Sequence, residues 1–199
     1  AFVAANGPKG MVGIDLTLAD QGVEANLLHF PLEGLGPTEA ALDFAREQGL
    51  ARLTIDQGYG PETLWEPEPV TVTLSGVPVS LPPGAFLQAT ADAEARMLAD
   101  AAEWLGDARL VADLFGGLGT FAFGLRQDRK VLAVEAEQAA HLACKSAGAR
   151  TGGQVLALHR DLFRSPLQPA ELNRFDAVLL DPPRAGARAQ VAEIAASTL

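Results

Sequence analysis

Residues 111–121 of the chain read VADLFGGLGTF, and this stretch decides the fold. An apolar run typical of a buried strand passes into a turn with glycine at positions 116, 117 and 119, and a helix is predicted from Thr120. Glycine lets the backbone approach a ligand closely because no Cβ stands in the way. The first N–H groups of the helix face the same place. The stretch therefore predicts a strand–turn–helix unit that binds a nucleotide-like ligand.

After residue 107 predicted strands alternate with predicted helices, and the strands cover residues 109–115, 130–134, 154–158 and 175–180. Such alternation is typical of a parallel, doubly wound α/β sheet of the Rossmann-like kind. Ligands of these sheets lie beyond the carboxyl ends of the strands. Residues 82–199 are therefore predicted to form one such domain, with Trp104 in its core.

Residues 1–81 have a different pattern, in which short strands dominate and one helix is predicted after residue 38. This pattern predicts a small α+β domain that carries no chemical signal of its own. The prolines and the glycine of residues 82–84 then form a stiff connection to a helix that Thr90 is predicted to cap.

Polar residues follow the later strands of the predicted sheet. Glu135 ends the second strand, where a carboxylate can accept hydrogen bonds from both ribose hydroxyls, although a solvated strand end is the alternative. Asp161 follows the third strand and is either a contact for an adenine edge or a helix N-cap. The fourth strand ends in Asp181-Pro182-Pro183-Arg184, a rigid turn in which two prolines lack backbone donors. An enzyme that modifies a flipped nucleobase needs such a rigid frame.

Taken together, four motifs resemble those of the RNA uracil-5-methyltransferase family. They occur in the family's order and spacing and read FLQ (residues 86–88), DLFGGLGTF (113–121), VE (134–135) and DPPRAG (181–186). Gly116 stands where many members have cysteine, and Thr120 where many have asparagine. Residues 1–81 resemble only loosely the small domain that precedes the catalytic domain in this family.

The resemblance implies S-adenosyl-L-methionine as cofactor and a uridine of rRNA or tRNA as the site of C5 methylation. It places Asp181 and Arg184 near the target base. The residues implied in cofactor binding are Gln88, Phe115, Gly117, Gly119, Thr120, Glu135, Asp161 and Asp181. Without the resemblance, Gln88 would be read as a surface or capping side chain.

The family's nucleophile is a cysteine that follows a fifth strand, and here it is expected beyond Leu199. Cys144, the single cysteine, lies in the middle of a predicted helix and is expected to pack as a small apolar residue. We therefore expect no catalytic nucleophile within these residues and interpret the chain as a fragment without the family's RNA-binding part. The fourth strand, Phe175–Leu180, would then be an unpaired edge open to contact with another chain.

Composition excludes several classes of protein. A formal net charge of −10 argues against a general nucleic-acid clamp, although residues 120–199 hold 10 basic and 8 acidic side chains. No apolar run approaches the ~20 residues that span a membrane. One cysteine supports neither a disulfide framework nor a cysteine-built metal site, so no metal is expected and the cytoplasm is the default compartment.

Three alternatives remain open at this point. The first is another methyltransferase with an Asp-Pro-Pro motif, which would act on cytosine C5 or on a base amino group. The second is a nicotinamide-dependent oxidoreductase, because Gly117-x-Gly119-x-x-Ala122 fits the loose dinucleotide pattern. The third is a binding module that kept the cofactor fold without catalysis.

Overall fold

The computed structural model describes residues 2, 3, 7 and 10–199, and the chain divides into two compact units. One unit comprises Ala1–Val72 and Ser80–Ala85, and the other comprises Thr73–Val79 and Phe86–Leu199. Residues 1, 4–6, 8 and 9 of the predicted first domain lie outside the described residues. The domain boundary between residues 81 and 82 stays a prediction.

From residue 10 onward, the first unit contains a four-stranded sheet and a helix of 13 residues. Its elements are β1 (Gly13–Ala19), β2 (Gly22–Leu28), α1 (Leu35–Glu47), β3 (Arg52–Asp56) and β4 (Pro61–Trp65), and the strand order is β1-β2-β3-β4. β1 and β2 form an antiparallel hairpin, whereas β2 and β3 are parallel because α1 makes the crossover between them. Ala41 and Ala45 of α1 are fully buried in one apolar core with Leu27, Leu53 and Ile55.

A second hairpin follows, formed by β5 (Thr71–Leu74) and β6 (Val77–Ser80). Ser75 and Gly76 both have positive φ at its turn, as a two-residue hairpin connection requires. Val77 and Val79 are buried while Pro78 and Ser80 are exposed, so β6 alternates with the strand period of two.

The second unit contains the parallel sheet. In chain order its elements are α2 (Ala91–Leu105), β7 (Leu110–Leu114), α3 (Thr120–Leu125), β8 (Lys130–Glu135), α4 (Gln138–Gly148), β9 (Val155–His159), α5 (Pro169–Leu172), β10 (Ala177–Leu180) and α6 (Arg188–Ala195). All pairings are parallel and the strand order is β10-β7-β8-β9. The predicted α/β fold is confirmed.

The two central strands, β7 and β8, are mostly buried because apolar residues face both sides of the sheet there. Ala112 and Leu114 of β7 and Val134 of β8 are fully buried. They pack in one core with Leu162 and Leu172 from the segments that follow β9. This packing fixes the carboxyl ends of the strands, where the candidate residues lie.

Helix α2 begins as the sequence predicts but packs differently. The Thr90 side chain accepts a hydrogen bond from the Ala93 N–H (3.2 Å), which confirms the cap. The prediction that Trp104 lies in the core is wrong, because its side chain is 81% exposed. At about 100° per residue, Trp104 lies well outside the narrow stripe centred on Leu98 and Leu105.

Strand β10 lies at one edge of the parallel sheet. Among the strands that the structure describes, only β7 pairs with it. No helix in the described part of the chain is long and apolar enough to cross a membrane.

Candidate functional site

The carboxyl ends of four parallel strands meet at one edge of the sheet in the second unit. Phe115 directly follows β7, Glu135 is the last residue of β8, and Asp181 directly follows β10. Asp161 comes two residues after β9. The fold therefore brings these four sequence candidates to the edge where ligands of such sheets bind.

The glycine turn after β7 has a backbone that few other residues could adopt. Phe115, Gly117 and Gly119 have φ values of 63°, 54° and 92°. A Cβ on Gly119 would lie 2.8 Å from Phe123 Cε2 and 2.9 Å from Cys144 Sγ, so a side chain has no room there. Helix α3 has only six residues, so we expect the backbone of the turn to contribute more to ligand binding, by close approach, than the helix dipole does.

Glu135 joins the end of β8 to this turn. Its Oε2 accepts a hydrogen bond from the Gly117 N–H (2.9 Å). Its Oε1 accepts bonds from the N–H groups of Ala136 (2.8 Å) and Glu137 (2.7 Å). Glu135 is half-buried, so its carboxylate is held by the backbone rather than solvated freely at a strand end.

Asp161 organises the loop after β9. Its Oδ1 accepts hydrogen bonds from the N–H groups of Phe163 (2.9 Å) and Arg164 (3.3 Å). Its Oδ2 lies 3.5 Å from the Arg164 Nε. These bonds close a turn over residues 162–164, and the next helix begins only at Pro169, so Asp161 is not the helix N-cap that the sequence offered as an alternative. The same turn brings the half-exposed Phe163 ring to 5.4 Å from the Phe115 ring.

Asp181 and Arg184 are both exposed at the turn after β10. The Gly186 N–H donates to the Pro183 carbonyl oxygen (2.7 Å) and closes this turn. The two prolines therefore lie in a hydrogen-bonded turn. The exposed side chains of Asp181 and Arg184 can contact a ligand from it.

The structure does not link the remaining candidates to the others. Gln88 is half-buried in the irregular segment before Thr90, and Thr120 is the first residue of α3. Within the described part of the chain, no hydrogen bond, ion pair or ring contact joins the side chains of Gln88, Thr120 or Arg184 to the other candidates. Their roles stay predictions.

Asp113 is a candidate that the sequence reasoning missed. It lies within β7 and is 1% exposed, and neither side-chain oxygen has a hydrogen bond of normal geometry in the described residues, although the Ala122 N–H lies nearby. Burial, together with the carboxylates of Asp181 and Glu135, raises the pKa of Asp113 to about 7, an effect that the nearby Ala122 amide partly offsets. A charged residue type between buried apolar neighbours of one strand was the available signal.

His159 and His141 were also missed. His159 ends β9 and pairs in register with Glu135, and its ring lies 5.2 Å from the ring of the buried His141 on α4. Burial, His159 and Lys145 lower the pKa of His141, so we expect a neutral imidazole at neutral pH. His159 ends β9 as Glu135 ends β8, which was the available signal, whereas His141 lies within α4 and had none.

The electrostatics of the site favour a cationic ligand. Asp113, Glu135 and Asp181 are close enough that the latter two raise the pKa of the buried Asp113. An ammonium or sulfonium group near them would relieve this repulsion, whereas a pyrophosphate would increase it. Among the described residues, no group of three or more His, Cys, Asp or Glu could hold a metal ion.

Comparison with solved structures identifies the fold. The tRNA (uracil-54, C5)-methyltransferase of Pyrococcus abyssi, in complex with S-adenosyl-L-homocysteine, superimposes with a TM-score of 0.66 at 17% identity over 94% of this chain and 47% of that chain. The tRNA m1G37 methyltransferase of Methanocaldococcus jannaschii gives a TM-score of 0.60 at 11% identity over 88% of this chain and 55% of that one. The fold is that of the Rossmann-like methyltransferases.

Curated proteins give a stronger similarity in sequence. An uncharacterized RNA methyltransferase of Zymomonas mobilis is 54% identical over 189 residues, which are 94% of this chain and 47% of that protein. The 23S rRNA (uracil(1939)-C(5))-methyltransferase RlmD of Edwardsiella ictaluri is 34% identical over 87% of this chain and 40% of its own length. This chain thus spans about half the length of the curated relatives it matches. No protein-family model matches the chain.

Proposed function

We propose that the chain is the cofactor-binding part of an RNA methyltransferase that uses S-adenosyl-L-methionine and methylates C5 of a uridine in rRNA or tRNA. The observation that carries this proposal is the hydrogen bond that joins Glu135, at the end of β8, to the Gly117 N–H of the glycine turn (2.9 Å). Glu135 ends β8 and Asp181 follows β10, and the carboxyl group of the buried Asp113 has no hydrogen bond of normal geometry among the described residues. The names of the relatives that share most of this chain support the same assignment.

The residues present fit this cofactor. Its ammonium and sulfonium groups are cations. Either could serve as an oppositely charged neighbour of the buried Asp113 carboxyl group. The turn at Gly117 and Gly119 would receive the methionine end, and Glu135 would hold the ribose hydroxyls. Phe115, Thr120 and Asp161 would surround the rest, with Gln88 and Asp181 nearest the methyl group. When bound, the cofactor supplies an electrophilic methyl group.

The chain's own residues would position the target base. Asp181 and Arg184 project from the rigid turn after β10 and offer an acceptor and a set of donors to a flat base. The proposed partner is therefore RNA, the proposed compartment is the cytoplasm, and the free edge of β10 is a proposed contact for another chain or segment.

Cys144 does not suit the role of nucleophile. C5 of uracil becomes nucleophilic once a thiolate adds at C6, which is the chemistry that the resemblance implies. Cys144 is fully buried, and burial with the neighbouring charges of Asp113 and Glu135 raises the pKa of its thiol to about 12. We therefore expect no methyl transfer to RNA by these 199 residues alone.

Nucleoside analysis of methylated RNA tests the proposed reaction. The longest protein in which this chain occurs would be incubated with unmodified rRNA and tRNA and S-adenosyl-L-methionine, and the digested RNA analysed by mass spectrometry. The proposal predicts 5-methyluridine as the product. A product of 5-methylcytidine, a methylated base amino group or 1-methylguanosine would instead favour another methyltransferase with the same fold.

A further inference from the structure

The peptide group between Ala136 and Glu137 connects a histidine to the Glu135 carboxylate. The N–H of Glu137, which belongs to this peptide, donates to Glu135 Oε1 at 2.7 Å. The carbonyl oxygen of Ala136, from the same peptide, lies 2.8 Å from His159 Nε2. Because a carbonyl oxygen only accepts, Nε2 of His159 must carry the hydrogen. One planar group is therefore held between a donor and a carboxylate.

His159 is itself held in place by two features. It is the register partner of Glu135 on the adjacent parallel strand, and the N–H of the following residue, Arg160, donates to the Glu135 carbonyl oxygen (2.9 Å). Its ring is inclined by 34° to the buried His141 ring at 5.2 Å. The backbone and ring contacts fix where Nε2 points, and Nε2 fixes the peptide.

We propose that His159 is a positioning residue for the ribose-binding carboxylate of Glu135, acting through the Ala136–Glu137 peptide. The inference rests on the proposed binding of S-adenosyl-L-methionine. Without the Nε2 donor the peptide can rotate, so Oε1 of Glu135 loses the alignment of one of its two backbone donors. The carboxylate then presents its free lone pairs to the ribose in a less defined direction.

Two substitutions of His159 separate the hydrogen bond from ring packing. H159F keeps a flat ring against His141 but removes the donor, whereas H159Q places an amide donor near the Nε2 position and removes the ring. If His159 positions Glu135, H159F weakens binding of S-adenosyl-L-homocysteine by about fivefold, which corresponds to one lost hydrogen bond. H159Q then restores most of that affinity. His159 is exposed, so both variants are expected to fold, and urea denaturation checks this.

A comparison of two ligands provides a second test of the inference, because Glu135 is proposed to contact only the ribose of the cofactor. Calorimetric titration with S-adenosyl-L-homocysteine and with its 2′-deoxy analogue compares ligands that differ by one hydroxyl. H159F should reduce affinity for the first ligand more than for the second. In an E135Q background H159F should have no further effect on either, because the two residues act as a unit.

Several results would overturn the inference while leaving the proposed function intact. One such result is that H159F binds S-adenosyl-L-homocysteine as tightly as the wild-type chain does. Another is a loss in H159Q as large as that in H159F, which would mean that the ring packing matters. An equal loss for both ligands, or additive effects with E135Q, would mean that His159 does not act through Glu135. If the wild-type chain binds neither ligand, the proposed function fails together with the inference.

Discussion

Asp113 is buried inside β7, and neither of its carboxyl oxygens has a hydrogen bond of normal geometry among the described residues, which makes the stability of the protein depend on pH. Its pKa is raised to about 7 in the folded state, chiefly by burial, from about 4 in the unfolded chain. Between these values the folded state holds a proton that the unfolded state has lost. The contribution of neutral Asp113 is therefore complete below about pH 4 and is lost as the pH rises toward 7.

D113N should remove this part of the pH dependence, because an amide cannot ionise. The free energy of unfolding of D113N relative to wild type should rise with pH by up to about 1 kcal/mol per unit between pH 5 and 7. Urea denaturation at several pH values measures it. D107N, which removes an exposed carboxylate, controls for the change of net charge. Parallel curves for wild type and D113N would contradict the assignment.

Gly119 carries a second prediction, because it has both a positive φ and no space for a side chain. In G119A the new Cβ would clash with Phe123 and Cys144, which should lower the free energy of unfolding by about 1–3 kcal/mol beyond the backbone strain. S-adenosyl-L-homocysteine should also bind more weakly. G153A is the matched control, since Gly153 has a φ of 85° and nothing within 4 Å of its Cβ position. Equal losses in G119A and G153A would show that the close contacts do not matter.

Single residues could be predicted from the sequence where position along a strand fixes their place. Glu135 and Asp181 follow from the rule that parallel strands end at one edge. Two features of the site could not be predicted: the hydrogen bond between Glu135 and Gly117, and the lack of a normal hydrogen bond at Asp113. Both depend on how side chains and amides of different elements are placed relative to one another. The contact between His159 and His141 has the same origin.

Strand β10 has one edge without a hydrogen-bonding partner, since only β7 pairs with it among the described strands. Asp176, just before β10, donates its N–H to Leu110 of β7 (2.8 Å). The N–H groups of a strand alternate in direction, so the N–H of Val178 also points toward β7. The N–H of Leu179 points toward the opposite edge, which has no partner among the described strands. Edge strands of this kind tend to pair with other chains.

Proline substitutions in β10 test this edge. We expect the 199-residue chain to associate as its concentration rises, and L179P to prevent this while leaving the β7 pairing intact. V178P instead removes a hydrogen bond to β7 and should destabilise the fold by about 1–3 kcal/mol, because a carbonyl oxygen of β7 loses its donor. Sedimentation velocity and urea denaturation distinguish the two effects. Association that persists in L179P would show that chains meet elsewhere, and a wild-type chain that stays monomeric would show that the edge does not pair.

The succession of elements after residue 107 could be predicted because the strands are short apolar runs separated by glycines, prolines and helical periodicity. The start of α2 was also predictable because Thr90 caps it, whereas the caps that Glu137 gives α4 and Gln168 gives α5 were not predicted. The exposure of Trp104 follows from helical periodicity and not from residue type, since Trp104 lies outside the stripe of Leu98 and Leu105.

At the scale of the whole molecule, the acidic charge and the fold lead to the same kind of ligand. The chain has a formal net charge of −10, and the site in the second unit contains three neighbouring carboxyl groups. The carboxyl groups of the site disfavour a cofactor with a pyrophosphate and suit a cationic group, whereas the net charge bears on the chain as a whole. The affinity of the chain for RNA is expected to be weak for the same reason, since few phosphates can be neutralised.

Calorimetric titration of the chain with S-adenosyl-L-homocysteine and, separately, with NAD tests the central claim most directly. S-adenosyl-L-homocysteine retains the ammonium group, the ribose and the adenine that the site is proposed to bind. The account predicts one S-adenosyl-L-homocysteine per chain and no heat of binding with NAD, and E135A should weaken the binding at least tenfold because a charged hydrogen-bond partner is lost. Binding of NAD, or the absence of binding to S-adenosyl-L-homocysteine by the folded chain, would contradict it.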